Sequence, residues 1–143
     1  MNNKARIDSY IPSASEALKK SKIAVDGKID SSYRGQISSF GAAVAIGSFK
    51  QAVAFFASDA KNGESKISRS KLIVAIDYLL SLAEKKNDAE IRTANVIQSE
   101  ILSITDAKEL KITENKYMDA AVALKIAMGL FDMGKATNDK KEE

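Results

Sequence analysis

The chain has 143 residues, enough for one domain, with 45% apolar and 29% charged residues, the balance of an ordinary globular protein. It contains no cysteine and no histidine, which excludes disulfide frameworks, thiolate or imidazole metal sites, cysteine nucleophiles and Ser-His-Asp catalysis. The formal charge of +3 is unevenly spread: residues 1–72 carry 12 Lys+Arg against 6 Asp+Glu, a net +6, and residues 73–143 carry 10 against 13, a net −3.

Helical spacing runs through the chain. Ile7, Ile11, Ala14 and Leu18 lie on one face of a helix from about Lys4 to Lys22. Pro12 falls inside it, so this helix should kink there or start nearby. Asp26-Gly27-Lys28-Ile29-Asp30 reads as a loop. Tyr33, Ile37, Phe40 and Val44 mark a second helix, capped by Asp30 or Ser31 and stopped near Gly47. Ser48 caps a third, with Phe49, Val53, Phe56 and Ala60 on its face, and Lys61-Asn62-Gly63 ends it. Leu72, Ile76, Leu79 and Ala83 define a fourth helix, running to about Lys86.

Ile91, Ala94, Ile97, Ile101 and Ile104 define a fifth, and Asp106 to Thr113 reads as no more than a short helical turn. Thr113 then caps a final helix striped by Tyr117, Ala120, Leu124, Ala127, Met128 and Phe131. One proline and 6% aromatics speak against a β-sandwich or barrel. The expected fold is all-α, a single compact bundle of five to six helices over residues 1–134 with a disordered tail at 135–143. Almost no strand content is expected, and a sheet of three or more strands would overturn the assignment. The centre of the core should be Ile37, Phe40, Val44, Val53, Phe56, Leu72, Ile76, Leu79, Ile101, Leu124 and Phe131. The amino terminus carries no apolar core like that of a signal peptide, and no apolar stretch is long enough to span a bilayer. A cytoplasmic location with no membrane contact is expected.

No catalytic residue, metal site or cofactor site is expected. Gly41 to Gly47 lacks the Gly-Lys-Ser/Thr of a phosphate loop, and Asp26 to Asp30 is too short for a calcium loop. Asp106 with Glu109 is the nearest approach to paired-carboxylate spacing, and solvated carboxylates account for it better. Gathering of Asp77, Glu84, Asp88 and Glu100 in one cleft would bring back a histidine-free, metal-dependent nucleotide hydrolase.

The cations are more informative. Arg34, Ser38, Gly41 and Ala45 form a stripe that is small after its first member. Gly41 costs about 1 kcal/mol in a helix relative to alanine, so close packing or a partner's backbone should explain it. Ser65 to Lys71 opens the fourth helix with Lys66, Arg69 and Lys71, where the macrodipole opposes cations and favours an incoming anion. Arg69 lies toward the apolar side and must snorkel or reach across to something. Lys20, Lys22 and Lys50 are weaker candidates. The bland alternative at each position is solvated surface.

The run Tyr33-Arg34-Gly35-Gln36-Ile37-Ser38-Ser39-Phe40-Gly41-Ala42, with Ile11-Pro12, Gly27-Lys28-Ile29 and Ala54-Phe55-Phe56-Ala57-Ser58 around it, resembles the small helical subunit of the Cmr effector complex, the type III-B CRISPR machinery. The resemblance covers roughly the first 85 residues. The final helix is similar only in length and alternation and lacks the tryptophan of some relatives, and Gly47-Ser48-Phe49-Lys50 departs from their Gly-Leu and apolar pair. The resemblance implies a non-catalytic subunit present in several copies, stacked beside the backbone subunits and lining the channel of the crRNA–target RNA duplex. Its expected partners are that duplex, other Cmr subunits and further copies of itself. Arg34, Lys50, Lys66, Arg69, Lys71, Lys20 and Lys22 are the candidate phosphate contacts. A helical homo-oligomeric adaptor with no nucleic-acid role, joined through the small-residue stripe, is the alternative.

Overall fold

The computed structural model describes residues 3–59, 68–85 and 88–134. The 3.6-residue periodicity is realised as α1 (Asn3–Lys20), α2 (Ser32–Ile46), α3 (Phe49–Ala57), α4 (Ser70–Lys85), α5 (Ala94–Leu102) and α6 (Ala107–Met128). The helical class stands. The tail at 135–143 and the expected stop at Lys61-Asn62-Gly63 lie outside the described residues.

Local chemistry sets the helix ends. α1 runs through Pro12, at an exposed position, and forgoes the one backbone bond that the missing N–H would have made. Before α2, Ser31 makes no side-chain cap, and Asp30 Oδ1 instead accepts from the Ser32 N–H at 2.9 Å. The helix ends at Gly47, and Ser48 caps α3 by accepting from the Gln51 N–H. Thr93 caps α5 by accepting from the Val96 N–H, which leaves Ile91 and Ile104 outside that helix.

α6 begins well before Thr113. Asp106 Oδ2 accepts from the Glu109 N–H at 3.0 Å, so Asp106-x-x-Glu109 is helix-capping spacing, and Thr113 lies within the helix with its hydroxyl donating to the Glu109 carbonyl. The fourth helix starts at Ser70, later than the expected Ser65.

A three-stranded sheet departs from the expectation of almost no strand. Its strands are β1 (Ala24–Val25), β2 (Lys28–Asp30) and β3 (Asp132–Gly134), in the order β1-β2-β3. β1 and β2 are antiparallel around Asp26 and Gly27, whose φ values of 54° and 78° fit a tight hairpin turn of the primed kind. β2 and β3 are parallel, with Ile29 opposite Met133. Strands this short show no period-2 signal, and the partner of β2 lies at the far end of the chain. The sheet ties the segment after α6 to the start of α2, but its size leaves the fold essentially helical.

The core forms where α1 packs on α4 and α6 and α2 packs on α3 and α6. Phe40 and Phe56 meet edge-to-face at 5.3 Å, as do Phe49 and Tyr117 at 5.2 Å. Every residue expected at the core centre is buried except Phe131, which lies half-buried just beyond α6. Full burial of such side chains contributes about 1.5–3 kcal/mol each. Arg6 reaches from α1 to the buried Asp119 of α6, joining the two longest helices by an ion pair.

Candidate functional site

The resembling motif opens α2, and its Tyr33 decides what it faces. Tyr33 is buried and its hydroxyl accepts from the Ser68 N–H at 3.0 Å. Burial raises its pKa above the ordinary phenol value, partly opposed by that bond. This contact joins the segment carrying Arg34 to the segment carrying Arg69 and Lys71.

Arg69 is already engaged. Its guanidinium donates to both oxygens of Asp59, at 2.9 and 3.1 Å, and its backbone N–H donates to the same carboxylate at 2.9 Å. The guanidinium also stacks 4.3 Å over the Phe55 ring. Hydrogen bonding from Arg69 holds the Asp59 carboxyl below its ordinary pKa. The anion expected near this helix start is therefore supplied by the chain itself. Lys71 is half-buried on the first turn of α4, and Lys66 lies outside the described residues.

Lys50 is engaged as well. Its Nζ donates to the carbonyls of Leu102 and Ile104 at 3.1 and 2.7 Å, at the C-terminal end of α5. Lys20 ends α1 and Lys22 follows it before β1; both are exposed, Lys22 with a left-handed φ of 68°. Two of the candidate cations, Arg69 and Lys50, are thus engaged in contacts within the chain. Arg34 is exposed and has no ion pair among the described residues.

Arg34 heads an open face of α2. Gly35, Ser38, Ser39, Ala42 and Ala45 are all exposed along it. A Cβ on Gly35 would meet nothing within 4 Å, and one on Gly41 would meet only Met118 Cε at 3.6 Å, ordinary contact. Packing inside the chain does not require glycine at either position. Lys125 of α6 donates to the Ser38 hydroxyl, and the same helix exposes Val122 and Ile126.

A second feature lies between α4, α5 and α6: a cleft of about 390 Å³. Arg92 donates to both oxygens of Asp77, at 2.7 and 3.1 Å, and to both of Glu100, at 3.0 Å each. These bonds, Asp77 first, raise the guanidinium pKa further above its ordinary value. Lys116 pairs with Glu84 at 3.1 Å. Asp88, Glu90 and Glu109 also line the cleft and have no cation among the described residues. Tyr117 closes it, buried and with its pKa raised by burial and then by the nearby Asp77 charge.

Asp77, Glu84, Asp88 and Glu100 do share this cleft, the gathering that would bring back the hydrolase reading. Three of the four are paired to cations, and among the described residues no three acidic groups are placed to hold one metal ion. Nothing in the spacing of Arg92 links it to Asp77, and Tyr117 shows in the sequence only as part of the final helix's apolar stripe.

No protein-family model, curated protein or solved structure matches this chain. Among the described residues, no helix is long and apolar enough to cross a membrane.

Proposed function

We propose that the chain is a small helical subunit of a type III-B CRISPR (Cmr) RNA-targeting effector complex, stacked in several copies beside the backbone subunits in the cytoplasm. It steadies the crRNA–target RNA duplex through phosphate contacts that do not read sequence, and contributes no nuclease chemistry of its own. One observation carries this reading beyond the resemblance: the motif Arg34-Gly35…Ser38-Ser39…Ala42 lies on an exposed face that internal packing does not explain. A sugar–phosphate backbone can approach such a face closely, with Arg34 as the charged donor at its head.

The test is co-purification of the tagged full chain under low salt, followed by sequencing of bound RNA. Recovery of guide RNA together with other complex subunits is the expected result. A chain that elutes alone or only with itself overturns it. Purified protein with magnesium or manganese should leave labelled RNA intact. Turnover abolished by Asp77→Asn or Glu84→Gln would instead establish the hydrolase reading that the cleft keeps in view.

The adaptor reading also has an observation in its favour. Ile46 is 87% exposed on α2, and Val122 and Ile126 are exposed on the neighbouring α6. A salt-sensitive RNA mobility shift separates the two, because phosphate contacts release counterions.

A further inference from the structure

Of the four arginines, Arg6, Arg69 and Arg92 are each paired to a carboxylate, and Arg34 pairs with none among the described residues. The face that Arg34 heads carries a second cation, one that its place in the sequence does not announce. Lys125 stands on α6, in the acidic half of the chain, and its Nζ donates to the hydroxyl of Ser38, one helical turn beyond Arg34 on α2. That partner is neutral, and Lys125 has no ion pair among the described residues. Two uncancelled positive charges thus belong to one patch centred on Ser38.

The surroundings do not offset them. α2 contains no Asp or Glu, and α6 contains none after Asp119. The carboxylates nearest in sequence are Asp30, which accepts from the Ser32 N–H, Asp119, which is buried and bonded to Arg6, and Asp132 of β3. Gly35, Ser39 and Ala42 are exposed near Ser38 and raise little bulk above the helix, while Val122 and Ile126 flank Lys125 with uncharged surface. Such a patch suits an anionic strand, whose phosphates meet the cations and whose sugars lie on the uncharged residues. Four residues of helix advance about 6 Å, comparable to the step between successive phosphates of a nucleic-acid strand.

We propose that Lys125 is a second phosphate-binding residue, gripping with Arg34 two successive phosphates of one RNA strand, a step that rests on the nucleic-acid role proposed above. Arg34 holds one phosphate. The Lys125 ammonium holds the next, exchanging its bond to a neutral hydroxyl for a charge-assisted one. Without RNA, the Ser38 hydroxyl keeps the lysine directed at this face. The acidic half of the chain thereby supplies half of the charge in the contact.

Fluorescence anisotropy of a labelled oligouridylate, titrated with the purified full chain at several salt concentrations, tests this. Lys125→Ala should weaken binding about fivefold and flatten the salt slope by nearly one unit. Combined with Arg34→Ala, it should flatten the slope by nearly two units. Ser38→Asp places a carboxylate among the cations and should weaken binding at least about tenfold. Lys116→Ala removes the same charge from α6 where Glu84 already cancels it, and should change affinity less than about twofold. Arg34, Ser38 and Lys125 lie outside the core, so these variants should fold, and their urea midpoints check that. The site is overturned if Lys125→Ala keeps wild-type affinity and salt slope, if Lys116→Ala weakens binding as much, or if the wild-type chain does not bind at low salt. Competition by polyglutamate as effective as by unlabelled oligouridylate overturns it too, and assigns the patch to an acidic protein partner. Guide RNA recovered on co-purification, with Lys125→Ala indifferent, would keep the proposed function and remove only this residue from it. Oligouridylate binding lost through Lys125→Ala, in a chain that purifies without guide RNA, would keep the site and discard the complex.

Discussion

The approach to α4 and the cleft behind it use the same device in opposite balance. At the first, one arginine meets one carboxylate: Arg69 is held by Asp59 and by the face of Phe55. At the second, one arginine meets two carboxylates, and three more line the same wall without a cation among the described residues. The half of the chain that is richest in cations has several of them engaged in its own architecture, while in the acidic half Asp88, Glu90 and Glu109 have no cation among the described residues. Net charge over a stretch therefore does not report what its surface offers, because geometry selects which charges cancel.

The two regions share one core, and the largest expected effect is there. Phe40 is fully buried against Phe56, and Phe40→Ala should cost about 3–5 kcal/mol in urea unfolding. A loss below about 1 kcal/mol would mean the side chain is not a core member. Arg92→Ala strands Asp77, which is only 9% exposed, and should cost about 2 kcal/mol. Arg69→Ala leaves the more accessible Asp59 and should cost about 1 kcal/mol, because solvent screens it. Equal losses would erase the distinction between the regions.

Titration sharpens it further. The Asp59 pKa is lowered in the folded protein, so its contribution is present above the unfolded carboxylate value of about 3.9 and fades as pH falls through the folded one. The Tyr117 pKa is raised, so the stability tied to its neutral form is intact below about pH 10 and is lost as pH climbs beyond. Urea midpoints measured from pH 8 to 11 should fall at the alkaline end, and Tyr117→Phe should flatten that fall. Tyr33 and Tyr10 share the direction, so the flattening should be partial.

The helices were legible because burial repeats at their period: Ile37, Phe40 and Val44, or Leu72, Ile76 and Leu79, announce which face turns inward. Their ends were legible where a single residue decides them, as Gly47 and Ser48 do. The hairpin had a signal that the periodicity obscured, since Asp26-Gly27 between Val25 and Lys28-Ile29 is a favoured tight-turn pair. β3 had none, because its register depends on β2 at the opposite end of the chain. Site residues fared worse for the same reason. Asp59 and Arg69, or Asp77 and Arg92, become partners only through the fold, and a cation's availability is a property of what reaches it.

The smallest stability effect is also the most telling. Arg34 is exposed and has no ion pair among the described residues, so Arg34→Ala should change unfolding free energy by no more than about 0.5 kcal/mol. If α2 carries the phosphate contact, the same substitution should weaken RNA association of the assembled complex about equally for unrelated sequences. It should also flatten the salt dependence by nearly one unit. Adding Arg69→Ala should then lower stability but add little to the loss of RNA binding, because that guanidinium is already bonded to Asp59. The reverse pattern, with Arg69→Ala carrying the RNA effect and Arg34→Ala silent, would mean that the Asp59 pair opens to receive the duplex. It would then be a switchable site, and the open face of α2 would be left for protein partners.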